Sequence, residues 1–192
     1  MLEQILQYDT EFFLYLNRMG TETWDGFWMF YTTKFYWIPL YAFLAYLLFK
    51  KFDRKQFILI LLLAAFLVTF TDQVTNFFKH GLERFRPCHN EDISSLMRLV
   101  KSSCGGKYGF FSGHASNSMS IAFFVGFLLK RNYKYIFPGL FIWAFLMGYS
   151  RIYIGVHYPL DVLCGMCFGA LSGYGFYSLF KYLSKRLLHI TF

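Results

Sequence analysis

The sequence predicts an all-α fold: a polytopic bundle of transmembrane helices built as one integral membrane domain over residues 1–192. Three observations predict it. Hydrophobic residues make up 56% of the chain, with 26 phenylalanines among them. Charged residues make up only 16%, against about 25% in a typical soluble domain, too few to cover a soluble surface of this size. The lysines and arginines fall in short clusters between apolar runs, as membrane loops do. A soluble chain with a net charge of +8 would suggest nucleic acid. The clustering places that charge at the membrane surface, and nucleic acid is not an expected partner.

The elements follow in order. Residues 1–20 lack a basic leading segment, so no signal peptide is expected. Leu2, Ile5, Leu6, Phe12, Phe13 and Leu16 fall at near-helical spacing and predict an amphipathic helix lying in the interface. It opens an N-terminal interfacial region over residues 1–33, whose stretch WDGFWMFY either lies in the interface too or enters the membrane. Five apolar runs, at residues 34–49, 56–79, 114–129, 135–150 and 162–180, predict five spans. Several are shorter than the ~20 residues that cross hydrocarbon, and Lys34, Lys130 and Lys134 can snorkel to lengthen them. A sixth helix over residues 11–33 is also open, because only Arg18 and a few acids interrupt it. In the last run, Gly165, Gly169 and Gly173 strip one helix face of side chains and let a neighbour approach closely.

Five spans define two sides. Lys50, Lys51, Arg54, Lys55, Lys130, Arg131, Lys134, Lys181, Lys185 and Arg186 share one side, ten of the nineteen basic residues, in short loops and a tail. The other side carries Lys79, Arg84, Arg86, Arg98, Lys101, Lys107 and Arg151. The positive-inside rule puts the ten in the cytoplasm. The loop over residues 80–113, with His114 and Arg151, then faces outward.

Three outward-facing stretches carry chemistry: KHGLERFRP from Lys79, FFSGH ending at His114, and SRIYIGVHYPLD ending at Asp161. Lys79, Arg86 and Arg151 would repel one another unless an anion sat between them. Arginine offers a planar fork for phosphate oxygens and lysine a point charge, and converging cations are what a phosphoryl group requires. His157 and Asp161 are four residues apart. If Pro159 starts the last helix, the carboxylate can accept the Nδ1 hydrogen and leave Nε2 as a nucleophile. His114 can protonate a leaving group. Gly113 admits close backbone approach, and Ser112 with the amides at the helix mouth can donate to phosphate oxygens. Lys79 alone could merely meet a lipid headgroup, and HYPLD alone could merely cap a helix. Their meeting at one membrane face argues for a site. Asp72, Thr75, Asn76 and Lys79 share one helix face, which turns Lys79 inward, with Asp72 serving mainly as polar glue between helices.

Lysine, six residues and Arg-Pro, then Ser-Gly-His, then Ser-Arg, five residues, histidine, three residues and aspartate: from Lys79 to Asp161 this order resembles the membrane-bound bacterial type of the type 2 phosphatidic acid phosphatase superfamily, the lipid phosphate phosphatases. The resemblance implies that Lys79, Arg86 and Arg151 hold the phosphate, with hydrogen bonds from Ser112 and Gly113. His114 would be the general acid, His157 the nucleophile that forms a phosphohistidine, and Asp161 its orienting partner. It implies no cofactor and no metal, and the chain has no carboxylate cluster suited to a hard cation. Its substrates would be membrane lipid phosphates: undecaprenyl pyrophosphate, which suits a site facing the periplasm or cell exterior of a bacterial inner membrane, or phosphatidylglycerol phosphate, phosphatidic acid or lipid A phosphates. Vanadium haloperoxidases share the motifs, but the apolar spans argue against that branch. A lipid-phosphate transporter or binding protein would keep the cations without needing the His157–Asp161 pair. Phe111 replaces the family's usual proline, and is expected to loosen the turn or touch the substrate's chain.

Of four cysteines, Cys164 and Cys167 lie in the last span, where thiols behave as small apolar groups. Cys88 and Cys104 lie in the outward loop, where a disulfide is permitted. It would tie the first motif to the second, and closing a loop of about 15 residues is worth roughly 3 kcal/mol. The alternative is two free thiols.

Overall fold

The computed structural model describes residues 1–188; residues 189–192 of the expected domain lie outside it. The described residues are helical almost throughout. They form α1 (Leu2–Arg18), α2 (Glu22–Thr32), a 3-10 turn (Lys34–Trp37) leading into α3 (Ile38–Lys51), α4 (Arg54–Leu82), the short α5 (Glu91–Ser94), α6 (Gly113–Leu129), α7 (Ile136–Tyr153) and α8 (Pro159–Leu188). Each apolar run is the body of one of these helices. Three helices are long and apolar enough to cross a membrane: Arg54–Leu82, Ile136–Tyr153 and Pro159–Leu187. The outer face of α4 exposes Leu62, Phe66, Phe70 and Phe77, an apolar exterior that suits lipid rather than water. The protein is an integral membrane protein.

Local chemistry sets the helix limits. Asp53 accepts from the Lys55 and Gln56 amides at 2.9 and 3.0 Å and Gln56 answers the Asp53 amide, a reciprocal cap that starts α4. Pro159 begins α8, where its missing N–H leaves no bond unmade. The chain does not continue as one helix over residues 11–33. It turns between α1 and α2, where the Gly20 amide bonds the Asn17 carbonyl at 3.1 Å and Thr21 is extended. Arg98 and Tyr153 press against Gly20 so closely that a Cβ there would sit 3.1 Å from the Tyr153 ring.

The apolar residues of α1 divide differently from the expected pattern. Leu2, Ile5, Leu6 and Phe12 point away from the protein, while Asp9, Phe13 and Asn17 form the buried stripe. Two polar groups face inward because each has work there. Asn17 Nδ2 donates to the carbonyls of Arg98, Ile152 and Tyr153 at 3.0, 3.3 and 2.9 Å, and its Oδ1 accepts from the Arg98 amide at 2.7 Å. One asparagine thereby fixes α1, the loop over residues 80–113 and the end of α7 together.

α6 is the central helix. Its buried residues include Ala115, Ser116, Ser118, Ser120 and Ala122, small side chains that let α4, α7 and α8 close around it. The three glycines of α8 meet the α6 backbone in register. A Cβ at Gly165 would stand 2.6 Å from the Ser112 carbonyl oxygen, and Cβ atoms at Gly169 and Gly173 would collide with the carbonyl oxygens of Ser116 and Ser120. The two helices touch backbone to backbone at every turn, which van der Waals packing in a membrane favours. Their N-termini are joined as well, the Ser112 amide donating to the Asp161 carbonyl at 2.9 Å. Gly169→Ala should therefore lower the thermal midpoint in detergent, by an overpacking penalty of about 1–3 kcal/mol. Gly175→Ala, where an added Cβ meets nothing within 4 Å, should leave it unchanged; equal midpoints for the two variants would contradict this packing.

Candidate active site

The loop over residues 80–113 is braced before it contributes anything. Its two limbs pair at Phe85 and Tyr108, with the Arg86 amide on the Lys107 carbonyl at 3.1 Å and the Gly109 amide on the Arg84 carbonyl at 2.8 Å. Cys88 and Cys104 are joined by a disulfide, their Cα atoms 6.0 Å apart. Arg86 hangs from this frame, with Nε donating to the Tyr108 carbonyl at 3.2 Å and Nη1 to the Cys104 carbonyl at 2.7 Å. Part of its fork is spent on aiming the rest.

Lys79 of α4, Arg86 of the loop and Arg151 of α7 all line one cavity of about 870 Å³, together with Gly113, His114 and His157. Among the described residues the ion pairs join Arg84 to Asp9 and Asp161, Arg98 to Asp25, and His157 to Asp161. None involves Lys79, Arg86 or Arg151. Arg151 is only 6% exposed. Its Nη1 donates to Thr32 Oγ1 at 2.6 Å, while its Nε is buried without a hydrogen-bond partner. Buried donors are nearly always satisfied, so an orphan N–H beside two further cations marks a place suited to an anion.

His157 is 2% exposed. Its Nδ1 faces Asp161 Oδ2 at 3.4 Å, and the same carboxylate accepts from the Tyr158 amide at 3.1 Å and from Arg84 Nη1 at 2.7 Å. Burial first, then the charges of Arg151, Arg86 and Lys79, push His157 well below the usual histidine range. The ring is therefore neutral near pH 7, with Nδ1 on the carboxylate, and the residue lines the cavity. Gly109 makes room for this pair, since a Cβ there would stand 3.0 Å from Asp161 Oδ2.

The second motif is arranged differently from its sequence reading. Ser112 is fully buried and its Oγ caps α6, accepting from the Ala115 amide at 3.5 Å; it does not line the cavity. Its oxygen sets the helix mouth, which leaves its O–H free to donate. Gly113 and His114 do line the cavity, and the first amides of a helix have no intrahelical partner. Phe111 neither loosens the turn nor meets the cavity. It is buried between Phe78 and Phe168, ring centroids 5.4 and 5.2 Å away, and wedges the turn against α4 and α8. On α4, Asp72 and Lys79 line the cavity. Asp72 also accepts from Asn117 Nδ2 at 2.7 Å, a tie to α6. Thr75 is buried with its hydroxyl on the Thr71 carbonyl at 2.7 Å, and Asn76 is exposed.

Sequence reasoning missed four participants. Thr32 steadies Arg151, Lys34 lines the cavity, and Arg84 with Asp9 stands behind Asp161. Three of the four precede the first motif by 45 residues or more, so no local spacing could signal them. Arg84 lay inside that motif, and its only hint was a second arginine two residues before Arg86.

A model of the PAP2 superfamily matches residues 55–185. The chain belongs to the PAP2 superfamily. Among PAP2 relatives, the lipid A 4'-phosphatase of Bacteroides thetaiotaomicron is 36% identical over 189 residues, spanning 97% of this chain and 83% of the relative. The lipid A 4'-phosphatase of Porphyromonas gingivalis is 36% identical over 191 residues, spanning 97% and 79%. The crystal structure of a transmembrane PAP2 type phosphatidylglycerolphosphate phosphatase from Bacillus subtilis superimposes with a TM-score of 0.70 at 21% identity, over 96% of this chain and 88% of that one. The PAP2 fold is thus present over nearly the whole chain, and the chain is a membrane lipid phosphatase, a hydrolase of phosphoric ester bonds. The loop frame gives a direct test: peptide mapping of alkylated, unreduced protein from its native membrane should recover Cys88 linked to Cys104. Free thiols at both positions would contradict the bracing described above.

Proposed function

We propose that the chain hydrolyses a lipid phosphomonoester at the outer face of a bacterial inner membrane, by double displacement through a phosphohistidine on His157. The observation that carries this reading is the shared cavity. Lys79, Arg86 and Arg151, with Lys34 beside them, line it without an ion-pair partner among the described residues, next to a neutral, carboxylate-oriented histidine and a second histidine. Lys79, Arg86 and Arg151 bind the phosphoryl oxygens and offset the charge that develops on them, helped by the amides of Gly113 and His114. Nε2 of His157 attacks phosphorus as the bond to the lipid oxygen breaks. His114 gives its proton to that leaving oxygen. Water then attacks the P–N bond, passing a proton to His114 and releasing inorganic phosphate, which restores both rings.

The same cavity suggests where the lipid lies. Beyond the cations it continues between α3, α4 and α6, lined by Ile38, Leu44 and Leu48, by Leu61, Ala65 and Val68, and by Ile121 and Val125. From Leu61 to Lys79 along α4 is roughly 27 Å by helical rise, most of the ~30 Å of hydrocarbon. An acyl chain fits that slot while its phosphate meets the cations. The full-length likeness to two lipid A 4'-phosphatases favours a lipid A type phosphomonoester over undecaprenyl pyrophosphate. In this reading α3 and α6 complete five spans with α4, α7 and α8, and the ten clustered basic residues hold the opposite face in the cytoplasm.

Purified protein should release phosphate from lipid A faster than from undecaprenyl pyrophosphate, phosphatidylglycerol phosphate or phosphatidic acid; the reverse order would overturn the substrate assignment. His157→Ala should abolish turnover in protein that still folds, because no neighbour can replace a covalent partner; a tenth of wild-type activity remaining would refute the nucleophile. Vanadate, which can adopt the five-coordinate shape of phosphoryl in transfer, should inhibit, and chelator should change little, since the three cations supply the charge. Activity lost in chelator and restored by magnesium would contradict the mechanism.

A further inference from the structure

Four cationic side chains gather at the outer ends of the helices, but they do not face the same way. Lys79, Arg86 and Arg151 line the cavity, whereas Arg84 does not. Arg84 lies behind it and spans two carboxylates, with Nη1 2.7 Å from Asp161 Oδ1 and Nη2 2.6 Å from Asp9 Oδ2. Its guanidinium lies over the Tyr158 ring, 4.2 Å from the centroid. Both carboxylates are buried, Asp161 completely and Asp9 at 5% exposure. Asp9 in turn accepts from the Leu160 amide at 2.8 Å, in the first turn of α8. The order is therefore α1, Asp9, Arg84, Asp161, His157.

We propose that Arg84 is the positioning residue of the reaction: anchored by Asp9 of α1, it holds Asp161 in the orientation that aims His157 into the cavity. Asp161 uses Oδ2 for His157 and the Tyr158 amide, and Oδ1 for Arg84. Without a partner on Oδ1 the carboxylate is free to rotate about its terminal bond, and the imidazole loses its fixed contact. Two acids share one arginine, and a planar fork can meet both where an ammonium cannot. Asp9 matters because it takes the other end of the guanidinium, Nη2, and so holds Arg84 on Asp161 and outside the cavity. The inference rests on the reading of His157 as nucleophile and extends the machinery outside the matched family segment, which begins at residue 55.

The test is steady-state kinetics on full-length detergent-purified protein with lipid A in mixed micelles, and with inorganic phosphate as competitive inhibitor. Removing a group that orients catalytic machinery lowers kcat, whereas removing a phosphate ligand raises KM. Arg84→Ala should lower kcat about 100-fold, with KM and the phosphate inhibition constant within about 3-fold of wild type, in line with losses at partners that orient a functional side chain. Arg84→Lys should recover part of the loss, and Asp9→Asn, which keeps shape and loses charge, should lower kcat about 10-fold. Combining Asp9→Asn with Arg84→Ala should cost no more than Arg84→Ala alone, because the two act through one chain of contacts. Where Arg84→Ala fails to fold, the two milder variants decide. Unchanged kcat in folded Arg84→Lys and Asp9→Asn would overturn the proposal, as would a raised KM at constant kcat. A wild type that releases no phosphate from lipid A or any other lipid phosphate would sink the underlying reading and this inference with it.

Discussion

Mutual repulsion among Lys79, Arg86 and Arg151 is the constraint on which the rest of the structure depends. The three share one cavity with Lys34 and a single lining carboxylate, Asp72, and none of them has an ion-pair partner among the described residues; burial in a membrane protein makes that arrangement unfavourable. A free chain would relax by turning the cations outward to water. Each is prevented by a different device. Lys79 sits on a long helix capped at its far end by Asp53, Arg86 is tied to two carbonyls of a disulfide-closed loop, and Arg151 is clamped by Thr32. The excess positive charge is what such rigidity preserves, and in the proposed reaction it is turned on the phosphoryl group.

The same rigidity explains the helix packing. His114 and His157 sit at the mouths of α6 and α8, so the site is only as well defined as the register of those two helices. Glycines at every fourth position of α8 bring its backbone against α6, and the Ser112 amide bonds Asp161 across their ends. Sliding one helix past the other would drive Cβ atoms into carbonyl oxygens. The N-terminal region completes the frame. Asn17 ties α1 to the loop over residues 80–113 and to α7, and Asp25 pairs with Arg98 at 2.9 Å on that loop. α1 lies on the bundle with Leu2, Ile5, Leu6 and Phe12 turned outward, yet its inward stripe reaches the Arg84 and Asp161 pair behind His157.

Much of this was legible in the sequence for a physical reason: membrane helices announce themselves by apolar length, and phosphate chemistry by charge in a place that avoids it. The five apolar runs became five helices, and Pro159 opens α8 as the HYPLD stretch required. The glycine stripe was visible because its period matches a helix turn. What stayed hidden was tertiary. Ser112 looked like a phosphate donor, and only the fold shows that its oxygen also accepts from the Ala115 amide as the cap of α6. Phe111 in place of proline suggested looseness, whereas its fit between Phe78 and Phe168 depends on residues far away in sequence. Asp9 and Asn17 gave no signal in the sequence, because their partners lie some 80 to 150 residues on.

The central claim is that His157 carries the phosphoryl group, and trapping that group tests it most directly. Protein mixed with lipid phosphate bearing radiolabelled phosphorus would be quenched in alkali within a single turnover, digested and mapped. The account predicts a base-stable, acid-labile label on the peptide containing His157, absent from His157→Ala. Label on a serine or aspartate, or rapid turnover with no label on any peptide, would contradict it.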